Sequence, residues 1–174
     1  VVNEQSPDKN HYVDMRVVIS ANMYTDFSSE LNANWFEIWV KPSNTSTVVP
    51  ENPATVILEN SAHEPVLHLI IGGNHFYRYE GGWQQIGNSV PTNNEWYRYL
   101  IHYDGHSETF GLTIYNQSGT ILEQGTFNNY ASVGGGPYSG KIARILIGSG
   151  LTNAGFDAIK YWKQPEEKPE ITTG

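Results

Sequence analysis

The chain contains no cysteine, and this single absence removes a disulfide framework, a thiolate metal site and a cysteine nucleophile. Cations are also scarce. Ten Lys and Arg stand against 18 Asp and Glu, a formal charge of -8, and no Lys/Arg run exists to follow a phosphate backbone. Nucleic acid is therefore not an expected partner. No apolar run approaches the roughly 18 residues of a membrane helix, so no membrane partner is expected either. The first residues, VVNEQSPDKN, have neither the charged nor the apolar region of a secretion signal, as expected of a mature or excised piece. Helical periodicity is the last thing missing, and that shifts the reading of the remaining composition.

What is abundant is turn and strand chemistry: 17 Gly, 11 Tyr and 5 Trp. The 174 residues suit one domain with enough surface to bury a core unaided. Short runs alternating apolar and polar residues follow one another at 12–21, 35–42, 54–60, 66–73, 75–80 and 82–87, then at 96–104, 109–115, 119–127, 141–149 and 155–163. Between them stand turn formers such as Gly72-Gly73-Asn74, Asp104-Gly105-His106 and Asn116-Gln117-Ser118-Gly119. About eleven strands without a helix predict an all-β, two-sheet antiparallel sandwich spanning residues 1–163. A Gly-rich stretch, 129–140, interrupts the rhythm and reads as a loop that is mobile or wraps a ligand. The tail 164–174, rich in Pro, Glu, Lys and Thr, reads as a linker or a disordered end.

The run NWFEIWVKP poses the functional question. Phe36, Ile38 and Val40 alternate as a core face should, which leaves Trp35, Glu37, Trp39 and Lys41 on the other. Two indoles and two charges on one strand face must cover something or bind something. In WYRYLIHYD the same alternation separates Tyr97, Tyr99, Ile101 and Tyr103 from Trp96, Arg98, Leu100 and His102.

The order of Trp39-Val40-Lys41-Pro42, then Trp96 with Tyr103-Asp104-Gly105, then Ile147-Gly148, then Asp157-Ala158-Ile159-Lys160-Tyr161 resembles the concanavalin A-like jelly rolls, in particular laminin G-like modules of the carbohydrate-binding type. The resemblance covers roughly residues 35–162. It implies a jelly roll, and it places Tyr97, Tyr99 and Tyr103 in the core. That superfamily holds glycoside hydrolases, polysaccharide lyases, lectins and binding modules, so the fold does not choose among them.

The residues narrow the choice. The Glu-x-Asp-x-x-Glu acid pair of the glucanase branch is absent, since Glu37, Glu59, Glu80, Glu123 and Asp157 each lack an acidic neighbour at i+2 or i+4. A lyase stays open because Arg98 and His102 share one strand face, although Arg-x-Glu-x-Arg and Gln-Ile-His are missing. No Gly-x-Ser-x-Gly elbow is present, and the six His are scattered. Aromatic planes with polar neighbours suit stacking on sugar rings, which points to Trp39, Glu37, Trp83, Tyr79 and Arg98 as one sugar-contacting surface. The reading is a non-catalytic polysaccharide-binding module of an extracellular or cell-surface bacterial protein, joined through its tail to a catalytic module. A lyase or other glycan-cleaving enzyme is the first alternative, and a protein-interaction or adhesion module the second. The resemblance further implies a structural calcium ion held by Asp157, with Glu4 as its second acid.

Overall fold

A computed structural model describes residues 13–15, 21–27, 29–46, 54–149 and 154–163. All of their regular structure is strand. In chain order these are β1 (Val13–Met15), β2 (Ala21–Asp26), β3 (Trp35–Pro42), β4 (Ala54–Asn60), β5 (Pro65–Gly72) and β6 (His75–Tyr79), then β7 (Trp83–Ile86), β8 (Tyr97–His102), β9 (Thr109–Asn116), β10 (Ile121–Asn128), β11 (Ile142–Ser149) and β12 (Ala154–Trp162). The first sheet runs β1-β12-β3-β8-β9-β10 and the second β2-β11-β4-β5-β6-β7, antiparallel at each junction. The all-β sandwich expected from the sequence is the fold observed.

Alternation explains the packing. Phe36, Ile38 and Val40 of β3, with Tyr97, Tyr99 and Ile101 of β8, line the inner face of the first sheet and are almost fully buried. Leu58, Leu67, Leu69 and Phe76 answer from the second sheet. The Phe76 ring meets Tyr97 edge-on at 5.2 Å and Tyr99 at 6.3 Å, so aromatic edges lock the two layers. Two core hydroxyls reach polar partners at the sandwich ends. The Thr92 amide donates to the Tyr97 hydroxyl at 2.6 Å, and the Tyr103 hydroxyl lies 3.1 Å from both the amide and the carbonyl of Gly140.

The turns follow their side-chain chemistry. Asn116 accepts from Ser118 and Thr120 amides through its side-chain oxygen, and Gly119 takes a φ of 85° to close the β9–β10 hairpin. On the far side, Glu123 of β10 accepts from the amides of Asn88 and Ser89, just beyond β7. This carboxylate therefore joins the outermost strand of one sheet to that of the other. Gly87 is required there, because a Cβ at that position would lie 1.8 Å from the Glu123 carboxylate and its φ is 58°.

One expectation needs correction. The single strand at 12–21 is two strands in different sheets, β1 beside β12 and β2 beside β11. The apolar run between them carries no Gly or Pro to mark where the chain changes layer. In β12, Asp157 opposes Trp39, but the next paired residue, Lys160, opposes Glu37, and Ala158 lies at a φ of 47°. This bulge breaks the period of two. Asp157 therefore shares the outer face with Trp39, Lys160 and Trp162, whereas Tyr161 points inward opposite Phe36 and meets Phe27 edge-on at 5.3 Å.

An alanine in left-handed backbone is strained where glycine is not. Ala158→Gly is expected to raise stability by about 0.5–1 kcal/mol, and Ala158→Val to lower it by about 1 kcal/mol or more. Urea unfolding midpoints at constant slope check both directions.

Candidate functional site: the outer face of the first sheet

The five expected binding residues are divided between two surfaces. Glu37, Trp39 and Arg98 come together on the outer face of the first sheet. Tyr79 and Trp83 pair with each other on the outer face of the second sheet. Because the core lies between those faces, the five do not form one platform.

On the first face, register does the assembling. Trp39 opposes Arg98 across β3 and β8, and Arg98 opposes Tyr115 across β8 and β9. The Arg98 guanidinium lies 4.0 Å from the centre of the Tyr115 ring and 6.0 Å from that of Trp39. Each such contact is worth about 0.5–1 kcal/mol when exposed. Glu37, one strand step along, has its carboxylate 3.7 Å from Arg98 and 3.8 Å from Lys160. These are ion pairs rather than hydrogen bonds, and the carboxylate keeps acceptor capacity. Further along, the Trp35 ring stacks parallel to Trp162 at 6.2 Å and tilts onto His102 at 4.6 Å. Half-buried indoles thus flank a charged centre, and no described strand packs over them.

The face is rich in donors. The indole Nε1 of Trp35 and of Trp39 and the Nε of Arg98 are buried without an acceptor among the described residues. A buried donor left unpaired costs about 1–3 kcal/mol, so a small side-chain shift toward an oxygen-bearing ligand is favoured here. The sequence flagged Trp39, Glu37 and Arg98. It missed Tyr115 and Trp162, which join only through cross-strand register.

The second face carries its own ring cluster. Trp83 meets His68 at 4.9 Å and Tyr79 at 5.1 Å, both edge-on. Tyr130 stacks on Tyr79 at 4.9 Å, and Tyr138 on Tyr130 at 5.9 Å. Tyr130 and Tyr138 come from the Gly-rich stretch expected to be a mobile or wrapping loop. Its backbone is held at several points. The Tyr130 amide donates to Val66, the Gly81 amide to Ala131 and the Tyr138 amide to Tyr130, while buried Asn129 donates to Ser107 and Tyr138.

Asp157 is nearly buried beside Trp39. Glu4, the other expected calcium ligand, lies outside the described residues, as does the 164–174 tail. Among the described residues no three His, Asp or Glu side chains gather as a metal-holding group.

No family model matches the chain, and no curated protein matches it. Among solved structures it is similar to a xylan beta-1,4-xylosidase from Bacillus halodurans C-125, with 12% identity and a TM-score of 0.56 over 87% of this chain and 33% of that one. It is also similar to a sialidase, with 8% identity and a TM-score of 0.52 over 84% of this chain and 15% of that one. At such identities the likeness concerns the β-sandwich alone. The chain spans a third or less of either protein.

Burial lowers the pKa of His68 from 6.5 to about 4, because the charged imidazolium would lose its water among the rings. The folded value lies below the unfolded one, so the unfolded chain takes up the proton first and stability falls as pH drops from about 6.5 toward 4. The loss is at most roughly 3 kcal/mol. In His68→Phe the decline between pH 6.5 and 5, where carboxylates remain ionised, should flatten in urea titrations at each pH.

Proposed function

We propose that the chain is a non-catalytic carbohydrate-binding module that seats a polysaccharide on the outer face of its first sheet. The observation that carries this reading is the set Trp39, Arg98 and Glu37, aromatic plane, donor and acceptor side by side at the centre of a sheet face. A pyranose presents an apolar face to a ring and hydroxyls to its surroundings, and this face offers both kinds of partner. Trp35 and Trp162 extend the aromatic strip along β3 and suit a chain of several sugars rather than one. The similarity of the fold to domains within a xylosidase and a sialidase supports a glycan setting.

Cleavage is the competing reading, and one assay separates the two. Affinity electrophoresis against plant and algal polysaccharides is run alongside measurement of reducing and unsaturated ends. Retarded migration without new ends is expected; new ends released by the wild type would make the chain an enzyme.

Within the binding reading, one stacked ring is worth about 1 kcal/mol. Trp39→Ala should therefore weaken binding about fivefold on this face, and Glu37→Gln together with Arg98→Ala should weaken it further. Circular dichroism must show an unchanged fold. If every variant keeps wild-type affinity for every polysaccharide that the wild type retards, the first face is not the site.

A further inference from the structure

The second cluster of rings lies behind the first face, across the full thickness of the core. Its members come from three separate places: His68 from β5, Tyr79 and Trp83 from the β6–β7 hairpin, and Tyr130 and Tyr138 from the stretch after β10. Local sequence does not bring them together. The bonds from Tyr130 to Val66 and from Gly81 to Ala131 do, with the Asn129 side chain fixing the start of the stretch. A surface stretch held this firmly presents its rings in one arrangement before any ligand arrives, which lowers the entropy cost of binding.

Chemistry separates this cluster from the first face. Its three phenols, one indole and one imidazole hold no formal charge, and exposed Gln85 of β7, on the same sheet face as Trp83, borders it with an amide. Ile57 of β4 lies opposite His68 at one margin of the cluster, and the other members are rings bearing polar groups. Half-buried rings carrying hydroxyls and bordered by a neutral amide match the two surfaces of an uncharged sugar.

We propose that the His68, Tyr79, Trp83, Tyr130 and Tyr138 cluster is a second glycan site, selective for uncharged sugar chains. The module then carries two sites on opposite faces and bridges two polysaccharide chains. This rests on the reading of the first face as a glycan site. Joining two chains raises retention on a polymer surface beyond the affinity of either site, because the second contact forms at high local concentration.

The test uses the whole chain with xylohexaose and cellohexaose as neutral probes, polygalacturonate as a charged one and a decaproline peptide as the protein-like alternative. Calorimetry should give two neutral hexaoses per wild-type chain and one for Tyr130→Ala, with Trp83→Gln as a second variant in case Tyr130→Ala fails to fold. Glu37→Gln, Trp39→Ala and Arg98→Ala combined should also retain one. Agglutination of xylan-coated beads by the wild type should vanish in each variant, with sedimentation showing monomer throughout. A single hexaose per wild-type chain, all binding abolished by the combined first-face variant, unchanged stoichiometry in folded Tyr130→Ala or Trp83→Gln, or bridging traced to a dimer would overturn the second site while leaving the first intact. Polygalacturonate held by the second face would overturn its selectivity. Decaproline bound through Tyr130 in place of sugar would overturn its glycan character. No glycan bound by the wild type would overturn both faces together.

Discussion

The structure depends on one steric fact about β3: residues in a strand point alternately to opposite sides. Phe36, Ile38 and Val40 are sealed in the core, and that leaves Trp35, Glu37 and Trp39 no direction but outward. A slip of one residue would expose three large apolar side chains and bury a carboxylate, so the register has no competitor. Sheet order then decides what the outward residues meet. With β8 on one side and β12 on the other, Trp39 is flanked by Arg98 and Asp157 and Glu37 by Lys160. The tryptophans are not simply offered to water; neighbouring strands half-cover them.

Much of this architecture is legible in the sequence because period two is a local signal. The bounds of the strands at 35–42 and 54–60 agree with it to the residue, and alternation sets Tyr97, Tyr99 and Tyr103 on one face, which the resemblance to jelly rolls turns inward, where they are buried. What fails is nonlocal. The run through 12–21 holds β-branched residues and no breaker, so nothing in it announces a change of sheet. The bulge at Ala158 has no glycine to betray it, so period two does not by itself place Ile159, Lys160 and Tyr161, the residues that follow it. Sheet membership is likewise invisible along the chain. Tyr79 and Trp83 look like companions of Trp39 by composition, yet β6 and β7 belong to the other layer. The pinning of 129–140 rests on partners as distant as Val66 and Gly81, which a glycine-rich composition conceals.

The two aromatic faces differ in how they are built. Regular strands hold every member of the first, so its geometry is as rigid as the sheet. The second borrows two of its rings from an irregular stretch and owes their position to a few backbone bonds and to Asn129. Substitution of Asn129, which touches no ring of the cluster through its side chain, would disturb Tyr130 and Tyr138 more than loss of any neighbouring surface residue.

The carboxylate of Glu123 has a bearing on solubility. Strands β10 and β7 each form one margin of their sheets, and an unpaired margin is a template on which a second molecule can add its own strand. By gripping the amides of Asn88 and Ser89, Glu123 draws these margins together and places a negative charge where an incoming strand would have to enter. At this end of the sandwich, edge-to-edge pairing of two copies is thereby disfavoured.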